Sequence, residues 1–388
     1  MKKLLNICLI LSLIINLSGC SYITDILEDI SVFTPTSDAT VSTEQTISTS
    51  SSQTVDLSQL QESIQEESSQ AEDTSSKKDT AENFNITLSF AGDVMIASFK
   101  NQTTKGSFNE YAEKNEPSYF LKEVQSVFAK DDFTTVNLEN VLTDEKLEEK
   151  EKDHNPAFWF RSKTDNVKIL LEGSVEGVSL ANNHTYDYGY KGYKHTTEAV
   201  EKSGLNYGNF EKIMYYEKEG FKIAVICYGL WRPNGVPAIK NLIKKAEKNS
   251  DYQILYFHGG KERIYAPEEW MVEACHNLVD AGADLIIGNH PHVLQPREIY
   301  NDTEIIYSLG NFCFGGNKKP GKNTVIYQMQ LTVNRKTLKL TKETSKFIPC
   351  YVYSGKLNNY QPCLIKNKAE KQRVIDFMNG KAKSPYLS

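Results

Sequence analysis

Ala283-Asp284-Leu285-Ile286-Ile287-Gly288-Asn289-His290-Pro291-His292 is a continuous aliphatic run that ends abruptly in two histidines one residue apart. An apolar run of that length without alternation predicts a parallel strand buried on both faces, and open α/β sheets gather ligands just past the carboxyl ends of such strands. The stretch therefore places His290 and His292 where chemistry is expected. Five further runs have the same form and close on polar or turn residues: Ile86 to Asp93, Thr134 to Glu139, Gly177 to His184, Lys222 to Gly229 and Tyr252 to His258.

Helix patterns fall between these runs, which predicts an α/β domain with a parallel or mixed sheet. Pro117 to Phe128, Asp165 to Leu171 and Tyr193 to Ser203 read as helices, the second capped by Thr164 or Asp165 and ended by Gly173, the third ended by Gly204. Pro267 to Ala281 is the clearest. Pro267 suits a first turn, Glu268 and Glu269 suit its positive end, Met271, Ala274, Cys275 and Leu278 form one apolar stripe, and Gly282 closes it. Glu145 to Asp153 is a mixed charge run, expected as a solvated loop or helix face.

Ahead of this domain the chain has a different character. Lys2 and Lys3 precede an apolar region from Leu4 to Leu17, and Leu17-Ser18-Gly19-Cys20 follows. That order describes a secretory leader rather than a membrane span, and its ending resembles a bacterial lipobox, which implies cleavage before Cys20 and a lipid on its sulfur. The expected organisation is thus a leader over 1–19, a lipidated Cys20 heading an acidic tether over 20–82, and a folded domain over 83–388. The tether is rich in Ser, Thr, Glu and Asp and too poor in large apolar residues to offset the entropy of ordering. With the chain at −6 and residues 1–82 at −9, the domain carries about +3. Such a nearly neutral domain is not expected to have a nucleic acid partner. Five cysteines fall within it, Cys227, Cys275, Cys313, Cys350 and Cys363, at irregular intervals that argue for buried thiols, with a Cys350–Cys363 bridge left open.

The ends of the predicted strands carry Asp93, Glu139, Asn183 with His184, His258, and His290 with His292. Mixed oxygen and imidazole donors of this kind suit Mn²⁺, Fe or Zn²⁺, and their number exceeds what one tetrahedral ion needs, so two divalent ions are expected. No Gly-x-Ser-x-Gly elbow accompanies His258-Gly259-Gly260, and the chain has neither a nucleotide-triphosphate loop nor a dinucleotide turn. Trp231-Arg232-Pro233 reads equally well as a cleft wall or a surface loop. His154, His195 and His276 lack comparable company and are expected at the surface.

Six ordered motifs carry a family resemblance: Gly92-Asp93, Asn137-Leu138-Glu139, Ala181-Asn182-Asn183-His184 with Asp187 and Gly189, His258 with Glu262, Gly288-Asn289-His290-Pro291-His292, and Tyr307-Ser308-Leu309-Gly310-Asn311-Phe312. Together they resemble the CapA family of capsule and poly-γ-glutamate synthesis proteins. The resemblance implies a calcineurin-like metallophosphatase fold, a sandwich of two mixed sheets flanked by helices. It implies metal-ligand roles for Asp93, Glu139, Asn183, His258, His290 and His292, with Glu139 bridging two ions, and a catalytic acid in His184 oriented by Asp187. With the lipobox-like ending at Cys20, the expected location is the outer face of the bacterial membrane, held there by a lipid anchor. The expected partners are an anionic polymer or its precursor and membrane-embedded synthesis proteins. Activity as a phosphoesterase-type hydrolase and service as a non-catalytic polymer-binding or assembly subunit are both compatible with it. Two departures stand out: Asp93-Val94-Met95 where metallophosphatases have Asp-x-His, and His258-Gly259-Gly260 where many CapA relatives have His-Trp-Gly.

Overall fold

The computed structural model describes residues 82–99, 105–153, 156–317 and 321–386. The leader, Cys20, the tether as far as Ala81 and His154 lie outside those residues.

The domain opens with β1 (Asn83–Met95), β2 (Ser98–Phe99), α1 (Phe108–Lys114), α2 (Ser118–Phe128), β3 (Phe133–Leu138) and β4 (Val141–Leu142). There follow β5 (Phe160–Ser162), α3 (Lys168–Glu172), β6 (Gly177–Ser179), α4 (Gly189–Ser203), β7 (Asn206–Gly208), β8 (Met214–Lys218) and β9 (Phe221–Leu230). Next are α5 (Val236–Glu247), β10 (Tyr252–Gly259), α6 (Glu269–Val279), β11 (Leu285–Asn289), β12 (Leu294–Tyr300), β13 (Thr303–Leu309) and β14 (Asn311–Phe314). The last elements are β15 (Asn323–Asn334), β16 (Leu340–Tyr351), β17 (Cys363–Leu364) and α7 (Lys368–Met378).

Two mixed sheets form a sandwich. The first runs β17-β16-β15-β1-β3-β6-β7, with β14 also on β1, and the second runs β12-β13-β11-β10-β9-β8. Within each, the central strands are parallel, β1 with β3 with β6 in the first and β9 with β10 with β11 with β13 in the second. One core cluster lies between the sheets and draws Ile86, Leu88 and Phe90 from β1, Ile254 and Tyr256 from β10, and Val325, Tyr327 and Met329 from β15. A second packs the first sheet against α2, α3 and α4 through Phe120, Val124, Phe128, Ile169 and Val200. A third packs the second sheet against α5 and α6 through Ile239, Ile243, Ala274, Cys275 and Leu278. Both central sheets are therefore covered on both faces, which is why their strands read as unbroken apolar runs. This is the flanked two-sheet sandwich expected from the sequence.

The local expectations hold with shifted ends. α2 starts one residue after Pro117, α4 starts a turn earlier than expected at Gly189, and α6 occupies the middle of the Pro267–Ala281 pattern. The Asp165–Leu171 pattern is a 3₁₀ turn over Thr164–Val167 that runs into the short α3, and no side chain caps its start. The run from Gly177 to His184 pairs only as far as Ser179, because the chain then turns to project Asn182, Asn183 and His184 off the strand end. Cys350 faces Leu364 and Tyr351 faces Cys363 across β16 and β17, so the two thiols point to opposite sheet faces; all five cysteines are free.

Candidate metal centre

Every predicted ligand-bearing strand end arrives at one point on the carboxyl edge of the two sheets. Asp93 comes from β1, Glu139 follows β3, Asn183 and His184 follow β6, His258 ends β10, and His290 and His292 follow β11. Two glycines make close approach possible. At Gly92 a Cβ would lie 1.8 Å from the Gly310 carbonyl oxygen, which accepts the Asp93 N–H at 2.9 Å. At Gly259 a Cβ would lie 1.8 Å from the Leu230 carbonyl oxygen. His290 and His292 adopt φ of 98° and 57° on either side of Pro291, a conformation that side-chain-bearing residues hold only when the surrounding structure enforces it.

Asp93 is fully buried, and its Oδ1 accepts a hydrogen bond from Asn137 Nδ2 at 2.8 Å. His258 Nδ1 lies 3.4 Å from Oδ1 and His292 Nδ1 lies 3.2 Å from Oδ2. Burial acts to raise the Asp93 pKa, but the hydrogen bonds and charges of His258 and His292 outweigh it and hold the carboxyl well below the usual range. At His292 burial acts downward; the Glu139 and Asp93 carboxylates overcome it and push the imidazole up to about 10. Burial, reinforced by neighbouring imidazoles, moves His290 well below its ordinary range. His258 and His184 are lowered by burial against the opposing pull of Asp93 and Asp187 respectively.

Glu139 is the centre of the arrangement. It is fully buried, and neither carboxylate oxygen has a hydrogen-bond partner. Three imidazoles face its Oε1: His258 Nε2 at 3.5 Å, and His184 Nε2 and His292 Nε2 at 3.9 Å each. Burial and the adjacent Asp93 charge push its pKa well above the carboxylate range. A buried carboxylate left without donors costs on the order of several kcal/mol, and a cation at that point would relieve it. Two donor groups could hold such an ion, Asp93 with Glu139 and His258, and Glu139 with His290 and His292; Glu139 belongs to both. His258 Nε2 further meets Asn183 Oδ1 at 2.8 Å and His290 Nδ1 at 3.1 Å, so Asn183, an exposed residue, joins the cluster. The donor set fits a divalent cation.

His184 and Asp187 stand beside the cluster. Asp187 Oδ2 takes the His184 Nδ1 at 2.8 Å and the Phe160 N–H at 2.8 Å, and the His184 ring lies edge-on to Phe160. Lys152 Nζ pairs with Asp187 Oδ1 at 2.6 Å. This lysine belongs to the charge run expected to be solvated. The run is indeed a loop, but Lys152 turns inward to neutralise Asp187 while its neighbours face water.

The sequence reading gives Asn137 no positioning role and expects Asn311 to fix a loop below the site. Asn137 spans Asp93 and His258 Nδ1, the latter at 3.0 Å, and its own oxygen accepts from Asn182 Nδ2 at 3.1 Å. Asn311 Oδ1 meets His292 Nδ1 at 2.9 Å. Both lay inside quoted motifs, and alternation along β3 puts Asn137 on the face of Glu139, which was the available signal. Met95 is buried in an apolar cluster with Phe160, Phe314 and Val352 and offers no ligand. A register shift between Asp93 and Met95 breaks the simple alternation that would have aimed it into the site. His195 and His276 are half-buried rather than on the surface: His195 contacts Thr143 Oγ1 at 2.8 Å, and His276 stacks on Tyr300 and meets Glu298 Oε1 at 2.9 Å.

The chain is similar in sequence to known proteins. The chain is 29% identical to the Bacillus subtilis "PGA biosynthesis protein CapA" over 64% of its length and 68% of that protein. It is 28% identical to the Bacillus anthracis "Capsule biosynthesis protein CapA" over 77% of its length and 75% of that protein. A solved phosphatase structure from Mycoplasma pneumoniae aligns with a TM-score of 0.42 at 16% identity, covering 69% of this chain and 94% of that one. The family model described as bacterial capsule synthesis protein PGA_cap matches residues 87–316, which contain every residue of the cluster. The chain belongs to that family of bacterial capsule synthesis proteins.

Proposed function

We propose that this protein is a metal-dependent hydrolase of phosphoesterase type, tethered by lipid at Cys20 to the outer face of the cell membrane, acting in capsule or poly-γ-glutamate synthesis or export. The observation that carries the proposal is the buried Glu139 carboxylate, unsatisfied by any protein donor and ringed by Asp93, His258, His290 and His292. When bound there, divalent cations supply Lewis-acid polarisation of a phosphoryl or acyl oxygen and a water of lowered pKa. Asp93, Glu139, Asn183, His258, His290 and His292 would hold them.

The chain's own groups then have distinct tasks. Asp187, fixed by Lys152 and the Phe160 N–H, accepts from His184 Nδ1 and so turns Nε2 toward Glu139. As the imidazolium, which the Asp187 carboxylate favours, the ring carries a proton on Nε2 that it can give to a departing oxygen. Asn137 and Asn311 hold the His258 and His292 rings in orientation, leaving their Nε2 atoms toward Glu139.

Met95 supports a second reading. With a thioether packed among apolar side chains next to Asp93, the residues there would offer an ion fewer nitrogen donors, which suits a non-catalytic subunit that binds polymer or assembles with membrane-embedded synthesis proteins. Elemental analysis of the purified domain together with a phosphoester screen separates the two. Bound metal with turnover supports the hydrolase; bound metal without turnover on any ester supports the subunit; a folded domain that takes up no divalent ion overturns the hydrolase and leaves the subunit.

A further inference from the structure

Trp231 follows the last residue of β9, and its indole is 39% exposed while lying 5.4 Å from the His258 ring and 5.1 Å from the His290 ring, at interplanar angles of 76° and 82°. Those two imidazoles are 1% and 8% exposed, so the indole stands between the metal-ligand cluster and solvent. The backbone is shaped for it. A Cβ at Gly229 would come within 3.0 Å of the indole Nε1, so the ring rests on a glycine that leaves it room. On the neighbouring strand, Gly259 pairs with Leu230 and admits no side chain, so β10 places none beside the indole past His258. Among the described residues the indole N–H has no hydrogen-bond acceptor. An exposed tryptophan with an unused donor, held perpendicular to two site imidazoles, has the form of a ligand platform rather than of core packing.

We infer that Trp231 forms a stacking subsite at the mouth of the cluster, and that the group attached to the reacting phosphoryl or acyl centre is a ring with a flat C–H or π face, a pyranose or an aromatic ring. The inference rests on the cluster being a metal site that binds an anionic ester.

The test is calorimetric and needs no turnover. Mn²⁺ is titrated into the intact protein first, then phenylphosphonate against methylphosphonate, and glucose 1-phosphate against glycerol 3-phosphate, into the Mn²⁺-loaded form. The ring-bearing anion of at least one pair should bind about 3- to 10-fold tighter than its ringless partner, the range expected of an aromatic contact. The preference should survive in Trp231→Phe and vanish in Trp231→Ala, with melting curves confirming that both variants fold. Whichever pair shows it identifies the ring. Equal binding within both pairs in the wild type, or a preference undiminished in Trp231→Ala, overturns the subsite while leaving the metal reading intact. No Mn²⁺ uptake by the wild type overturns the metal reading and the subsite with it.

Discussion

Glu139 is a carboxylate that the protein alone does not satisfy, and its behaviour separates a metal site from a structural cluster. Glu139→Gln removes a buried charge that has no donor while keeping the shape of the side chain. Without metal the variant should melt no lower than the wild type. Adding Mn²⁺ in hundredfold excess over its dissociation constant should stabilise the wild type by roughly 3 kcal/mol and leave the variant unmoved. A shared Mn²⁺ response in melting would remove Glu139 from the site. His292 and His184 divide differently. His292 lies in a donor group with Glu139 and His290, whereas His184 is held by Asp187 outside both groups. His292→Ala should lose about 10-fold or more in metal affinity, while His184→Ala should keep its metal and lose any phosphoester turnover. Equal metal retention in the two variants contradicts this assignment. Met95 was legible in the sequence only as a departure from a pattern; its packing with Phe160 and Phe314 shows why no ligand is needed there. Met95→His would bury an unpaired imidazole among those rings and should cost about 1–3 kcal/mol in urea unfolding, with no gain in Mn²⁺ affinity.

β3 shows how much an element's sequence discloses and where it stops. Its apolar and β-branched run and the polar residues at its end were readable, because burial on both faces writes itself as an unbroken run. The same holds for β1, β9, β10 and β11, and the ligand positions followed from their ends. β15 and β16 were not readable as a hairpin. β16 begins Leu340-Thr341-Lys342-Glu343-Thr344, an edge half that faces water and reads as a loop, and only the pairing with β15 reveals it. The positioning role of Asn137 was likewise hidden, since it depends on three strands meeting. At the amino end of β3 a titration is built into the sheet. Burial, reinforced by the Asp131 charge and partly offset by the hydrogen bond from the Thr134 N–H at 2.8 Å, pushes Glu176 up to about 7. Burial, with the Asp132 charge, pushes Asp131 up to about 6. Both groups bind protons more tightly folded than unfolded, so their ionisation opposes folding above pH 7 and stability rises as pH falls through about 7 and about 6. The gain ends near the ordinary carboxylate range. Glu176→Gln keeps the acceptor for Thr134 and should flatten the change in urea midpoint between pH 7.5 and 5.5; an unchanged slope would place the effect elsewhere.

At the scale of the whole molecule the charge is split: residues 1–82 carry −9 and the rest about +3. Among the described residues, β1 enters the first sheet at Asn83 and pairs with β15 from Asn83 to Phe90. A chain that begins at Asn83 should therefore fold as a soluble unit and unfold in a single transition, with the same Mn²⁺ response as the full chain. The acidic segment has no apolar periodicity with which to add to either sheet. If it spans freely from a lipidated Cys20, as proposed, it reaches about 40 Å and would hold the candidate metal cluster clear of the bilayer surface. One acyl-modified residue then decides location without deciding fold. Cys20→Ala should move the protein from the membrane fraction to the soluble fraction while leaving its melting temperature and metal content unchanged. Persistence of the variant in carbonate-washed membranes would mean that the leader remains as an anchor, and aggregation of the Asn83 chain would mean that the domain begins earlier than β1.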